Sequence, residues 1–146
     1  MQQKEAVLSG IVYNQIMRLL AKNPKIEVVG LCFGIRCHEK IELKSFVSLV
    51  NLDNSSTSFS LDYEAMYQEI QCHEERDEIL VGIFHSHPKG TKVYPSQKDL
   101  YYMRYWPHPY LWLIGGCGEE ETDSLLSIFS LLNEKIVEIP YSILNA

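Results

Sequence analysis

Six residues, Ile79-Leu80-Val81-Gly82-Ile83-Phe84, run without a polar side chain and stop at His85-Ser86-His87-Pro88. Strict alternation would mark a strand with one wet face. An unbroken run of this length reads as a strand covered on both faces. Such a strand needs helices above and below its sheet, which points to an α/β architecture. With 146 residues, 46% of them apolar, the chain has enough material for one buried core. The expectation is a single domain over 1–146.

The neighbouring segments fit that frame. Residues 6–9 read as a short strand. Over 10–22, Val12, Ile16, Leu19 and Leu20 recur at helical spacing. Asn23-Pro24 stops this helix, because proline lacks an N–H and disfavours helix in the residue before it. Residues 26–36 and 41–50 form a predicted strand hairpin around His38-Glu39-Lys40, and 51–58 a loop. Asp62 is placed to cap a helix with Tyr63, Met66, Tyr67 and Ile70 as its apolar stripe. The charged cluster from His73 to Glu78 reads as a solvated helix end. A short helix is expected at 96–104, and strands at 110–115, 125–132 and 135–141. Tyr101, Tyr102, Tyr105, Trp106, Tyr110 and Trp112 form an aromatic group, read first as core and second as a partner surface.

Several classes of function are disfavoured. Thirteen basic against 19 acidic residues give a net charge of −6 with no basic stripe, so nucleic acid is not an expected partner. No window approaches the roughly 18 uninterrupted apolar residues of a membrane span. The first residues, MQQKEAVLSG, lack the apolar core of a signal peptide. Cys32, Cys37, Cys72 and Cys117 contain no CxxC pair, which suits free thiols in a reducing cytoplasm.

The chemistry sits where the apolar run ends. Side chains at i and i+2 of a strand point the same way, about 7 Å apart along the chain. His85 and His87 can therefore converge on one ion, while Ser86 faces the other side. Ser96-Gln97-Lys98-Asp99 has two readings. It matches a capping box that needs no metal. It also puts a carboxylate on the first turn of a helix, where Asp99 can supply a third ligand. Two imidazoles favour zinc over magnesium or calcium, and three ligands leave a coordination position open. Non-haem iron takes a similar set and remains the competitor. A hydrolase built this way needs a base. Glu27, a charge among Ile26, Val28 and Val29, is the best candidate, its plainer reading being an exposed strand end.

In order, the chain carries Glu27-x-x-Gly30-Leu31, Gly82-x-x-His85-Ser86-His87-Pro88 and Pro95-Ser96-x-x-Asp99-Leu100. This pattern resembles the JAMM/MPN+ (Mov34/MPN/PAD-1) zinc metalloproteases, in their compact prokaryotic form. Val50-Asn51 with Phe59, and Glu138-Ile139-Pro140, are similar to further family segments. One departure is the spacing: eight residues, from Pro88 to Pro95, separate His87 from Ser96, where the family usually has seven. One extra loop residue costs little.

The resemblance implies an MPN fold, cytidine-deaminase-like, three-layer α-β-α with a mixed central sheet. It implies one catalytic zinc held by His85, His87 and Asp99, Glu27 as general base and Ser96 as the oxyanion donor. The implied activity is cleavage of amide or isopeptide bonds after the C-terminal tail of a ubiquitin-like protein, the tail adding a strand near 51–60 or 89–95. The alternatives are a non-catalytic MPN-type scaffold, or a peptidase acting on sulfur-carrier conjugates or on cell-wall or phage-tail substrates. Nothing in the sequence specifies the oligomeric state.

Overall fold

The computed structural model describes residues 5–23, 27–53, 60–87, 93–106, 110–117 and 124–144. In chain order these form β1 (Glu5–Ser9), α1 (Gly10–Lys22), β2 (Val29–Cys37), β3 (Lys40–Leu49), α2 (Tyr63–Glu74), β4 (Ile79–Ser86), α3 (Gln97–Tyr105), β5 (Leu111–Cys117), β6 (Ser124–Leu132), β7 (Lys135–Glu138) and β8 (Tyr141–Leu144). The strands make one mixed sheet ordered β7-β6-β5-β4-β2-β3-β1-β8. It is α/β, with a packed core on each face.

Val12, Ile16 and Leu20 of α1 bury one stripe against one face, among Cys32, Leu43, Phe84 and Leu113. Ser9 starts this helix by accepting the Val12 N–H at 3.1 Å, and Asn23 ends it by donating to the Leu19 carbonyl. Met66 of α2 and Met103 of α3 pack on the opposite face with Leu31, Ile83, Trp112 and Ile114. Strand β4 runs between these layers. Its Phe84 enters one core and its Ile83 the other, which is why residues 80–84 carry no polar face; Ile79, at the start of the strand, is exposed.

The sheet curls until its ends meet. β7 and β8 lie at opposite edges, yet only Ile139-Pro140 joins them. Ile139 donates its N–H to the Ile128 carbonyl, Pro140 accepts from the Ala6 N–H, and the Tyr141 hydroxyl donates to the Leu126 carbonyl at 2.8 Å. The strand expected over 135–141 is therefore two strands. Pro140 has no N–H to continue a ladder, so the chain leaves β6 there and pairs with β1 instead.

Other expectations shift in detail. Lys40 belongs to β3, leaving His38-Glu39 as a two-residue turn with His38 at φ 54°. Asn133 and Glu134, both at positive φ, make the corresponding turn between β6 and β7. The stripe of α2 is Met66, Ile70 and His73, whereas Tyr63 and Tyr67 are exposed. His73 is no solvated helix end. It is buried, its ring lies flat on Phe33 at 3.8 Å, and its Nδ1 pairs with the Glu69 carbonyl. The aromatic group also divides: Trp112 is core, while Tyr101 and Tyr105 are exposed. Pro24, Phe59, Pro88 and most of the 51–58 and 89–95 loops lie outside the described residues.

Candidate metal centre

Both neighbours of β4 hold its C-terminal end. On one side the His87 N–H donates to the Gly115 carbonyl of β5 at 2.8 Å. On the other, the Ser86 N–H donates to the Val28 carbonyl at 2.9 Å, and the Ser86 hydroxyl accepts the Val28 N–H at 2.8 Å. His85 and His87 therefore project from a backbone fixed on both edges. They share the face occupied by Ile83, which is the face α3 covers.

Helix α3 begins with a complete capping box. The Asp99 N–H donates to Ser96 Oγ at 3.1 Å, and Asp99 Oδ2 accepts the Ser96 N–H at 2.9 Å. The same carboxylate reaches both imidazoles, with Oδ1 2.9 Å from His85 Nε2 and Oδ2 2.8 Å from His87 Nε2. The capping-box reading of Ser96-x-x-Asp99 is thus observed, and it leaves the same carboxylate beside both imidazoles. The cap sets the direction of the carboxylate, and the carboxylate completes the cluster.

His85, His87 and Asp99 each offer one donor atom within 4.8 Å of the others. The two Nε2 atoms are 3.3 Å apart. Tetrahedral zinc with bonds near 2.1 Å sets its ligand atoms about 3.4 Å apart. The donor set and the Nε2–Nε2 separation suit zinc with a fourth position open, while the Asp99 oxygens lie at hydrogen-bond distance from the two imidazoles. Burial alone would raise the Asp99 pKa. Hydrogen bonds from both imidazoles, the His85 charge and the Ser96 N–H outweigh it and hold the carboxyl well below the usual range, so Asp99 is anionic.

Glu27 comes to the same place through sheet register. β2 and β4 are antiparallel with Val29 opposite His85, and the Val28–Ser86 bonds extend that register by one step. The next step puts Glu27 opposite His87, on the shared face. Glu27 precedes β2, and at 5% exposure it is not the exposed strand end of its plainer reading. Burial pushes its carboxyl up to about 7. His87 and Lys98 oppose that rise, while Asp99 and Asp53 add to it. A carboxylate near 7 is poised to exchange protons at neutral pH.

Two contributors went unread at the level of sequence. Ser86 is a backbone clamp as well as a residue facing away from the histidines. Asn51 donates from Nδ2 to the Glu27 carbonyl at 2.9 Å. The signal for Ser86 was a hydroxyl at the point where strand pairing stops. Asn51 had only its place after β3.

A family model described as prokaryotic homologs of the JAB domain matches residues 10–128. The chain belongs to this family. Its JAMM/MPN members are zinc-dependent, in accord with the donor set of His85, His87 and Asp99. Among curated proteins it is 35% identical over 103 residues to a desampylase from Pyrococcus furiosus, covering 70% of this chain and 68% of that one. It is 33% identical over 103 residues to a probable TtuB-protein conjugate cleaving protease from Thermus thermophilus, covering 70% of this chain and 64% of the relative. The matches thus span about two thirds of these relatives' length. A solution structure of a protein from Desulfitobacterium hafniense superposes with a TM-score of 0.82 at 21% identity, covering 97% of this chain and 94% of the other. That likeness supports the JAB/MPN fold.

Proposed function

We propose that this JAB-family protein is a zinc-dependent isopeptidase that hydrolyses the amide bond following the C-terminal tail of a ubiquitin-like protein. The carrying observation is the convergence of His85, His87 and Asp99, with the buried Glu27 two residues before Val29, the partner of His85. The names of the two curated relatives, a desampylase and a conjugate cleaving protease, support this substrate class.

His85, His87 and Asp99 would hold the zinc, which would supply Lewis-acid activation of the carbonyl and of water at neutral pH. Glu27 takes the proton from the attacking water and then delivers it to the departing amine. Burial raises its proton affinity, which favours taking up that proton. Ser96 Oγ accepts from the Asp99 N–H and keeps its own O–H, which donates a hydrogen bond to the oxygen developing negative charge. We place the enzyme in the cytoplasm, where Cys37 and Cys72, exposed free thiols, stay reduced.

The test pairs zinc analysis with cleavage of a ubiquitin-like conjugate. The wild type is expected to hold one zinc and cleave. Glu27→Gln is expected to keep the zinc and lose cleavage. Wild-type protein that binds no zinc is the result expected of a non-catalytic scaffold. Zinc-loaded protein that spares conjugates but cuts muropeptides would replace the substrate class.

A further inference from the structure

The structure assigns a positioning role to Asn51, which ties the base to the loop that follows β3; this rests on Glu27 being the base. Leu49 of β3 stands opposite Val29 of β2 in an antiparallel ladder. Two further steps in that register bring Asn51 opposite Glu27, beyond the last strand pair. Here a side chain replaces the backbone ladder. Asn51 Nδ2 donates to the Glu27 carbonyl at 2.9 Å across 24 residues of chain.

The other end of the amide is engaged as well. Asn51 Oδ1 accepts the Asp53 N–H at 3.1 Å and the Ser60 N–H at 2.9 Å. The Leu52 N–H donates to the Ser60 carbonyl at 3.2 Å beside them. These partners set the orientation of the amide: two N–H donors demand the oxygen on the loop side, and the Glu27 carbonyl demands the nitrogen on the other. One planar group thus joins the two ends of the 52–60 segment and pins the backbone of the base.

The need for such a pin follows from where Glu27 sits. It precedes β2, so regular pairing with β3 and β4 ends at Val29. Ser86 holds Val28 from the β4 side, and Asn51 holds Glu27 from the β3 side. A carboxylate that must meet both water and leaving amine loses about 10²-fold in rate for a misplacement near 1 Å. Asn51 therefore acts on the rate through Glu27 and not on the metal, to which it contributes no ligand.

Asn51→Asp separates its two tasks. The aspartate keeps an oxygen for the Asp53 and Ser60 amides and loses the donor to the Glu27 carbonyl. The readouts are kcat and KM on a ubiquitin-like conjugate, zinc per chain, and hydrogen exchange at the Ser60 amide. Taking kcat from the pH plateau removes any effect of the new charge on the protonation of Glu27. The expected result is a kcat at least tenfold lower, KM within twofold, one zinc per chain and a Ser60 amide still protected. Asn51→Ala is expected to lose the Ser60 protection in addition. A kcat for Asn51→Asp within twofold of wild type, or a lowered kcat accompanied by lost zinc, overturns the assignment. Glu27→Gln run alongside tells the two failures apart. Full activity in that variant removes the base and the positioning role with it, whereas an inactive Glu27→Gln beside an active Asn51→Asp removes the positioning role alone.

Discussion

Ser86 and Val28 exchange two hydrogen bonds, backbone to backbone at 2.9 Å and backbone to hydroxyl at 2.8 Å. The hydroxyl stands in for the carbonyl that a longer ladder would have offered. Ser86→Ala leaves the Val28 N–H without this acceptor and should cost about 1–2 kcal/mol in chemical denaturation. Zinc content should be unchanged, since His85 and His87 face the other way. The kcat should fall by about tenfold or more, because Glu27 is the next residue along. Full activity with unchanged stability would show that the hydroxyl carries no structural load.

Burial of Glu27 makes stability depend on pH. Its carboxyl titrates at 4.5 when unperturbed and at about 7 in the fold. Between those values the native state binds more protons than the unfolded chain, so stability falls as pH rises. In protein stripped of zinc, Glu27→Gln should raise stability at pH 8 by up to about 3 kcal/mol and change little at pH 4.5. Adding zinc should shrink the gain, since the ion favours the carboxylate. Thermal melts of both proteins at the two pH values decide it; an equal effect at both would mean that Glu27 does not titrate upward.

Asp99 and Ser96 share the cap but should fail differently. Asp99→Asn keeps an oxygen for the Ser96 N–H, so α3 should remain capped while zinc binding is lost for want of an anionic ligand. Ser96→Ala removes the acceptor for the Asp99 N–H, at a cost of about 1 kcal/mol, and should keep zinc. Its kcat should drop about 10²–10³-fold if the hydroxyl stabilises the oxyanion. Metal analysis beside single-turnover rates separates the two, and a Ser96→Ala enzyme with normal kcat excludes that role.

His73 provides a contrast far from the chemistry. Removing a buried ring stacked on Phe33 should destabilise the fold by about 2–4 kcal/mol. Zinc affinity and kcat should hold at temperatures where His73→Ala is folded. Loss of zinc from the folded variant would contradict the assignment of this histidine to the core.

Much of the molecule is set by neighbours in the chain. The caps at Ser9, Asp62 and Ser96 and the stop at Asn23 all depend on contacts within a few residues, and the unbroken apolar run of 79–84 is itself a local pattern. The candidate donor cluster was legible for the same reason: His85 and His87 are two apart on a strand, and Asp99 lies one loop beyond. Tertiary structure alone decided the rest. Ser86 bonds to Val28 across 58 residues, and Asn51 reaches Glu27 across 24, through ladder registers that no local pattern encodes. Packing likewise showed that Glu27, the base candidate of the sequence, is buried rather than an exposed strand end, sent β8 to the far edge after Pro140, and packed His73 on Phe33. Local periodicity selects which side chains share a face; only packing between distant strands determines what that face meets.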